Sequence, residues 1–106
     1  HAGRVTCLSC WRDRLVSCGH DGEVVLDSFS SLKRVSLGVS RLLSLAIVDK
    51  EHIAIGSEDG SIHLLNAELQ TLESLQPFGP CPIHGIAALP GGRFAAVSTE
   101  LAGFQL

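Results

Sequence analysis

The stretch SCGHDGEVVL at 17–26 returns as IGSEDGSIHLL at 55–65, which sets Asp21-Gly22 and Asp59-Gly60 thirty-eight residues apart in similar surroundings. Self-similarity at a fixed period of about 20 to 50 residues marks a repeat architecture. With the two Asp-Gly pairs aligned, VTCLS (5–9) lies over the run that begins at Leu43, RLVSCG over HIAIGS, and EVVL over SIHL. Each unit then holds three short strand-like runs, and LKRVSL (32–37) and LQTLESL (69–75) each supply a fourth. Runs rich in Val, Ile and Leu, separated by turn residues, predict an all-β repeat. Helical periodicity has no stretch long enough to compete.

The repeated pairs have a physical task within such a unit. A two-residue hairpin turn of type I′ needs positive φ at both central residues, which Asp tolerates and Gly accepts without steric cost. Each Asp-Gly pair is therefore expected to join the second and third strands in that geometry. A third, weaker unit starts at Ile83, turns at Pro90-Gly91-Gly92 and continues through RFAAVS, and the sequence ends where its fourth strand would begin. The expected organisation is two complete four-stranded units at 1–38 and 39–79 and an incomplete one at 80–106. The runs IAIG, IAAL and FAAV are apolar at successive positions. A sheet wetted on one face would alternate, so these strands are expected to be covered on both faces. Radially stacked antiparallel sheets satisfy that demand.

Composition narrows the function classes. The 106 residues are 45% apolar, enough for a domain core, and the formal net charge of -3 lacks the basic stripe of a nucleic-acid binder. The strongest apolar run, LLSLAIV at 42–48, is far shorter than the roughly 20 residues of a membrane span. The apolar content makes disulfides unnecessary for a core, so the four cysteines point to an intracellular, cytoplasmic chain, with the nucleus also compatible. The sequence begins at His1 without a methionine and reads as an excised segment.

These features resemble the WD-repeat β-propellers, across essentially all of the sequence and most clearly in HAGRVTCLSC and DRLVSCGHDGEVVLDS. The resemblance implies that His1 is the histidine of the family's Gly-His pair, Ser17 the second-strand hydroxyl and Asp21 the turn aspartate of a buried tetrad. Its tryptophan position falls on Asp27 in the first unit and Leu65 in the second. In the second unit Val39 stands at the histidine and Ile55 at the hydroxyl, which leaves Asp59 without those partners. Trp11, the only tryptophan, is expected just after a first strand and does not fill the vacant place.

Other constellations carry less. Cys7, Cys10, Cys18 and His20 have zinc-ligand chemistry, but positions 7 and 10 of one strand point to opposite faces, whereas ligands must converge. No metal or cofactor is expected. The histidines lack the strand-turn-helix context of an activated nucleophile, and LPGGRF lacks the Lys and Ser/Thr of a phosphate loop. The expected function is thus a non-enzymatic scaffold that docks other proteins, or further blades, through loops on one rim. By resemblance that rim holds His20 to Gly22, Glu58 to Gly60, Val39 to Arg41 and Phe78 to Pro82. Arg41 and Phe78 are its expected anchors, with His20 and Glu58 beside them, and Gly22 and Gly60 as structural turn residues. The alternative is an accessory propeller domain of an enzyme whose catalytic domain lies elsewhere.

Overall fold

The computed structural model describes residues 3–28, 30–38, 41–76, 80, 82–98 and 103–105, with the side chains of 94–98 and 103–105 outside the description. The first sheet contains β1 (Val5–Trp11), β2 (Arg14–Gly19), β3 (Glu23–Asp27) and β4 (Leu32–Ser36). The second contains β5 (Leu42–Ile47), β6 (His52–Ser57), β7 (Ile62–Asn66) and β8 (Thr71–Leu75). A third contains β9 (Ile83–Leu89), β10 (Arg93–Ser98) and β11 (Gly103–Gln105). Each sheet is an antiparallel meander with neighbours in chain order. Among the described residues there is no helix.

The uninterrupted apolar run in β6 is explained by what lies on its two sides. Ile53 and Ile55 pack with Leu65 and Leu42 against Trp11, Val16, Cys18, Val24 and Leu26 of the first sheet. Ala54, between them in sequence, faces the other way and packs with Ile62 against Ile83 of the third sheet. Alternate side chains of a strand point to opposite faces, so a sheet sandwiched between two others needs apolar residues at every position. Removing Ile53, Ile55 and Leu65 from water contributes on the order of 1.5–3 kcal/mol each.

Neighbouring sheets are also stitched together through their first strands. Thr6 Oγ1 donates to the Leu42 carbonyl at 2.6 Å, and Ser44 Oγ to the Ile83 carbonyl at 2.9 Å. A Cβ on Gly56 would lie 2.6 Å from Ile83 Cγ2 and collide with Ser44 Oγ, so this position admits only glycine while the third sheet stays seated. Trp11 is the last residue of β1, not a residue beyond it. It is 1% exposed and its Nε1 donates to the Asp49 carbonyl at 3.1 Å, across the boundary between sheets.

Two further expectations need correction. The Asp-Gly turns are not type I′, because His20, Asp21, Glu58 and Asp59 all lack positive φ; only Gly22 (φ 76°) and Gly60 (φ 92°) have it. Gly22 N donates to Gly19 O, and Gly60 N to Ser57 O, at 3.2 Å in each case. Each connection is therefore a three-residue loop, a type I turn followed by glycine in the left-handed region. The register of the first strands also differs from the sequence comparison. Val5 pairs with Gly19 and Leu42 with Ser57, so Val5 corresponds to Leu42 and not to Leu43. The hairpin after β5 is one residue longer than that after β1. Trp11 faces Arg14 across Arg12 and Asp13, whereas Val48 N reaches His52 O across 49–51. The repeat spacing consequently changes by one within the hairpin, and a slip of one residue exchanges the two faces of a strand.

Candidate docking rim

In an antiparallel meander the turn between the second and third strands and the connection into the first strand emerge at the same end. Here they are joined by main-chain bonds. His20 N donates to Arg4 O at 2.8 Å in the first sheet, and Glu58 N to Arg41 O at 2.8 Å in the second. Leu37 N donates to Gly22 O at 2.9 Å and Gln76 Nε2 to Asp59 O at 2.8 Å, which ties the end of each fourth strand to the same edge. Among the site residues expected from the sequence, the structure thus brings His20 to Gly22 together with the entry to β1, and Glu58 to Gly60 together with Arg41.

The turns are built by short polar side chains. Asp21 Oδ1 accepts from Glu23 N at 3.1 Å, and Asp59 Oδ1 from Ser61 N at 2.9 Å, the same arrangement one repeat apart. Asp59 also accepts a hydrogen bond from Ser57 Oγ, a side chain 1% exposed. The hydroxyl partner of the second-unit aspartate therefore lies two residues before it, not at Ile55 four residues before, and Asp59 is not left without a partner. At the equivalent position of the first unit stands Gly19, where a Cβ would meet the Arg4 carbonyl at 2.5 Å. Close approach of Arg4 O excludes a side chain there. Ser17 is half-buried within β2. Leu65 at the tryptophan position is fully buried, whereas Asp27 is exposed. His1, Val39 and Phe78 lie outside the described residues.

The rim's charges are lightly engaged. Arg41 Nη1 stands 3.7 Å from Glu58 Oε2, with side chains 57% and 49% exposed, a surface pair worth about 0–1 kcal/mol. Both side chains can be recruited by a partner at small cost. Arg4, the counterpart of Arg41, meets His20 where Arg41 meets Glu58. Sequence reasoning overlooked Arg4 and Gln76; the entry to β1 could have been found by carrying Arg41 back one repeat with the shorter spacing. Cys7 and Cys18 are register partners facing the second sheet, while Cys10 is exposed on the opposite face. Burial pushes the Cys18 thiol up to about 12, with a Thr6 hydrogen bond opposing it.

No protein-family model matches the sequence, and no curated protein matches it significantly by sequence. Solved structures do match by shape. The C-terminal WD40 domain of Sif2 superposes with a TM-score of 0.86 at 16% identity, over 99% of this chain and 34% of that one. Raptor from Chaetomium thermophilum gives 0.83 at 16% identity, over 97% and 11%. The WD40 β-propeller domain of Doa1 gives 0.82 at 16% identity, over 100% and 38%. The chain spans between 11% and 38% of the length of these structures. Three consecutive antiparallel meanders, two of four strands and one of three, stacked face to face through their first strands, have the fold of WD40 β-propeller blades in an incomplete ring.

Proposed function

We propose that the chain is a non-catalytic docking scaffold, part of a propeller with blades at 1–38, 39–79 and 80–106, that engages other proteins through the rim carrying Arg41, Glu58, His20 and Phe78. The supporting observation is the repeated main-chain coupling of turn and inter-blade connection, His20 N to Arg4 O and Glu58 N to Arg41 O. It places corresponding backbone positions of neighbouring blades on one edge, so a partner that spans two blades meets a preorganised surface. Arg and aromatic residues are over-represented among the side chains that dominate binding energy, which selects Arg41 and Phe78 as anchors. His1, Ser17 and Asp21 in the first blade, and Asp59 in the second, support the turns and do not contact the partner.

The test uses the full chain that carries this segment. A photocrosslinking amino acid at position 41 should capture a partner in cells, and one at position 50, on the opposite edge, should not. With that partner purified, Arg41→Ala and Phe78→Ala should each weaken binding by about 1 kcal/mol or more with the melting temperature preserved. Undiminished binding by both variants, with loss on Lys50→Ala, would place the docking face on the other rim.

A further inference from the structure

Strand β4 runs through Lys33-Arg34-Val35-Ser36 into Leu37, a serine with basic residues three and two positions before it and an apolar residue after it. A serine kinase that selects basic substrates reads such a pattern through carboxylates in its own groove, which pair with the cations ahead of the acceptor hydroxyl. Two other serines share part of it. Arg14 stands three positions before Ser17, and Arg41 three before Ser44. The fold separates the three. Ser17 is half-buried in β2, which is paired with β1 on one side and β3 on the other. Ser44 is 3% exposed and donates its hydroxyl to the Ile83 carbonyl. Ser36 is exposed at the last position of β4, which among the described residues is paired with β3 alone.

The acceptor and its cations are presented together. Lys33 and Arg34 have side chains 47% and 51% exposed, and their pairs with Glu68 at 3.0 Å and Glu23 at 3.6 Å are weak surface contacts that another protein's carboxylates can replace. The Ser36 hydroxyl donates to Gly38 O at 3.5 Å, long beside the ordinary range of about 2.5–3.0 Å, and is easily released. A further blade seated on the first would leave Ser36 open. Val35 pairs with Val24, and Leu75 with Ile62 at the equivalent position of the second blade, so Gln76 is the counterpart of Ser36. Gln76 is exposed although the first blade covers that side of the second.

We infer that Ser36 is a phosphorylation site for a basophilic serine kinase, with Lys33 and Arg34 as the residues that kinase recognises. The γ-phosphoryl group of ATP passes to Ser36 Oγ, the bond from the γ-phosphorus to its bridging oxygen breaks, ADP leaves, and the hydroxyl proton goes to the kinase's catalytic aspartate. The phosphate carries about 1.5 to 2 negative charges. It stands directly opposite Glu23 and one residue before Leu37, whose N donates to Gly22 O. The added charge therefore lies at the edge of the rim, while the assignment of the site is independent of the rim's docking role.

The test incubates the folded full chain with ATP and purified cyclic-AMP-dependent protein kinase, a basophilic probe, and maps phosphate by mass spectrometry. Within this segment phosphate should appear at Ser36, and Ser36→Ala should abolish it. Lys33→Ala and Arg34→Ala should each slow the initial rate by about tenfold or more, as expected for loss of one charge-assisted hydrogen bond. Ser74, exposed in β8 but preceded by Thr71-Leu72-Glu73, should take up none. Absence of phosphate from Ser36 of the folded chain, its appearance there only after heat unfolding, or a rate indifferent to both Lys33 and Arg34 would overturn the assignment.

Discussion

Gly60 sits at φ 92° as the last residue of its turn, a backbone region that a β-branched side chain resists. Gly60→Val is expected to cost about 1 kcal/mol or more in the folded chain, and Gly60→Asn less, because asparagine visits the left-handed region more readily. Equal losses in denaturant midpoint for the two variants would contradict the turn assignment. His63, half-buried in β7 with Nδ1 3.0 Å from Ser74 Oγ, has its pKa lowered below the ordinary 6.5, first by burial, against a smaller opposing pull from Asp59. The unfolded chain therefore takes up the proton before the folded one, so stability is full above about 6.5 and declines as the pH falls from there through the folded value. His63→Gln should flatten that part of the stability-pH curve, which chemical denaturation between pH 7.5 and 5 would read. At this level the sequence was legible where residue chemistry repeats. Asp21 and Asp59 could be recognised as turn residues. The turn type could not, because Asp-Gly suits both a two-residue primed turn and the last two residues of a three-residue loop. Ser57 was missed as the partner of Asp59 because Gly19 occupies its place in the first unit, so comparison of the two units hid it.

Strand order and pairing followed from the period and the turn residues, and the doubly apolar pattern of IAIG announced a strand covered on both faces. The same pattern in IAAL did not hold, since Ala87 and Ala88 of β9 are exposed, and the side chains of FAAV lie outside the description. The offset between β1 and β5 was not legible. The extra residue lies in a polar hairpin, 49–51, where no pattern marks it, and Leu42 and Leu43 are both apolar. The structure makes the seam between blades testable. Ser44 is 3% exposed and donates across it to Ile83 O. Ser44→Ala leaves a buried carbonyl without its donor and should cost about 1–3 kcal/mol. Gly56→Ala should do more than propensity alone predicts, because its Cβ must push Ile83 and the third sheet away. Equilibrium unfolding of both variants in the full chain, with the denaturant dependence unchanged and the midpoint lowered, is the expected outcome. Wild-type midpoints would mean that the second and third sheets do not meet as described.

The central strand β6 of the second blade is buried on both faces, whereas among the described residues the first blade has one face covered and one open. Val16, Cys18, Val24 and Leu26 are sealed against the second blade, while Leu8, Leu15 and Leu32 on the other side are 65%, 44% and 55% exposed. By register these three share that face with Val25 and Asp27. Exposed apolar side chains gathered on one sheet face, though interrupted by Asp27, call for a partner, and among the described residues β4 and β8 lie at sheet edges. Propellers usually close at about 4 to 8 blades, and the described residues form two four-stranded blades and three strands of another. The central claim is that these sheets are blades whose faces need neighbours. Sedimentation velocity combined with thermal unfolding of the 106-residue segment by itself tests it most directly. The account predicts self-association or a broad, non-cooperative transition, relieved when the segment is embedded in a chain or complex that covers the Leu8, Leu15 and Leu32 face. A monodisperse monomer with one sharp cooperative transition would contradict it.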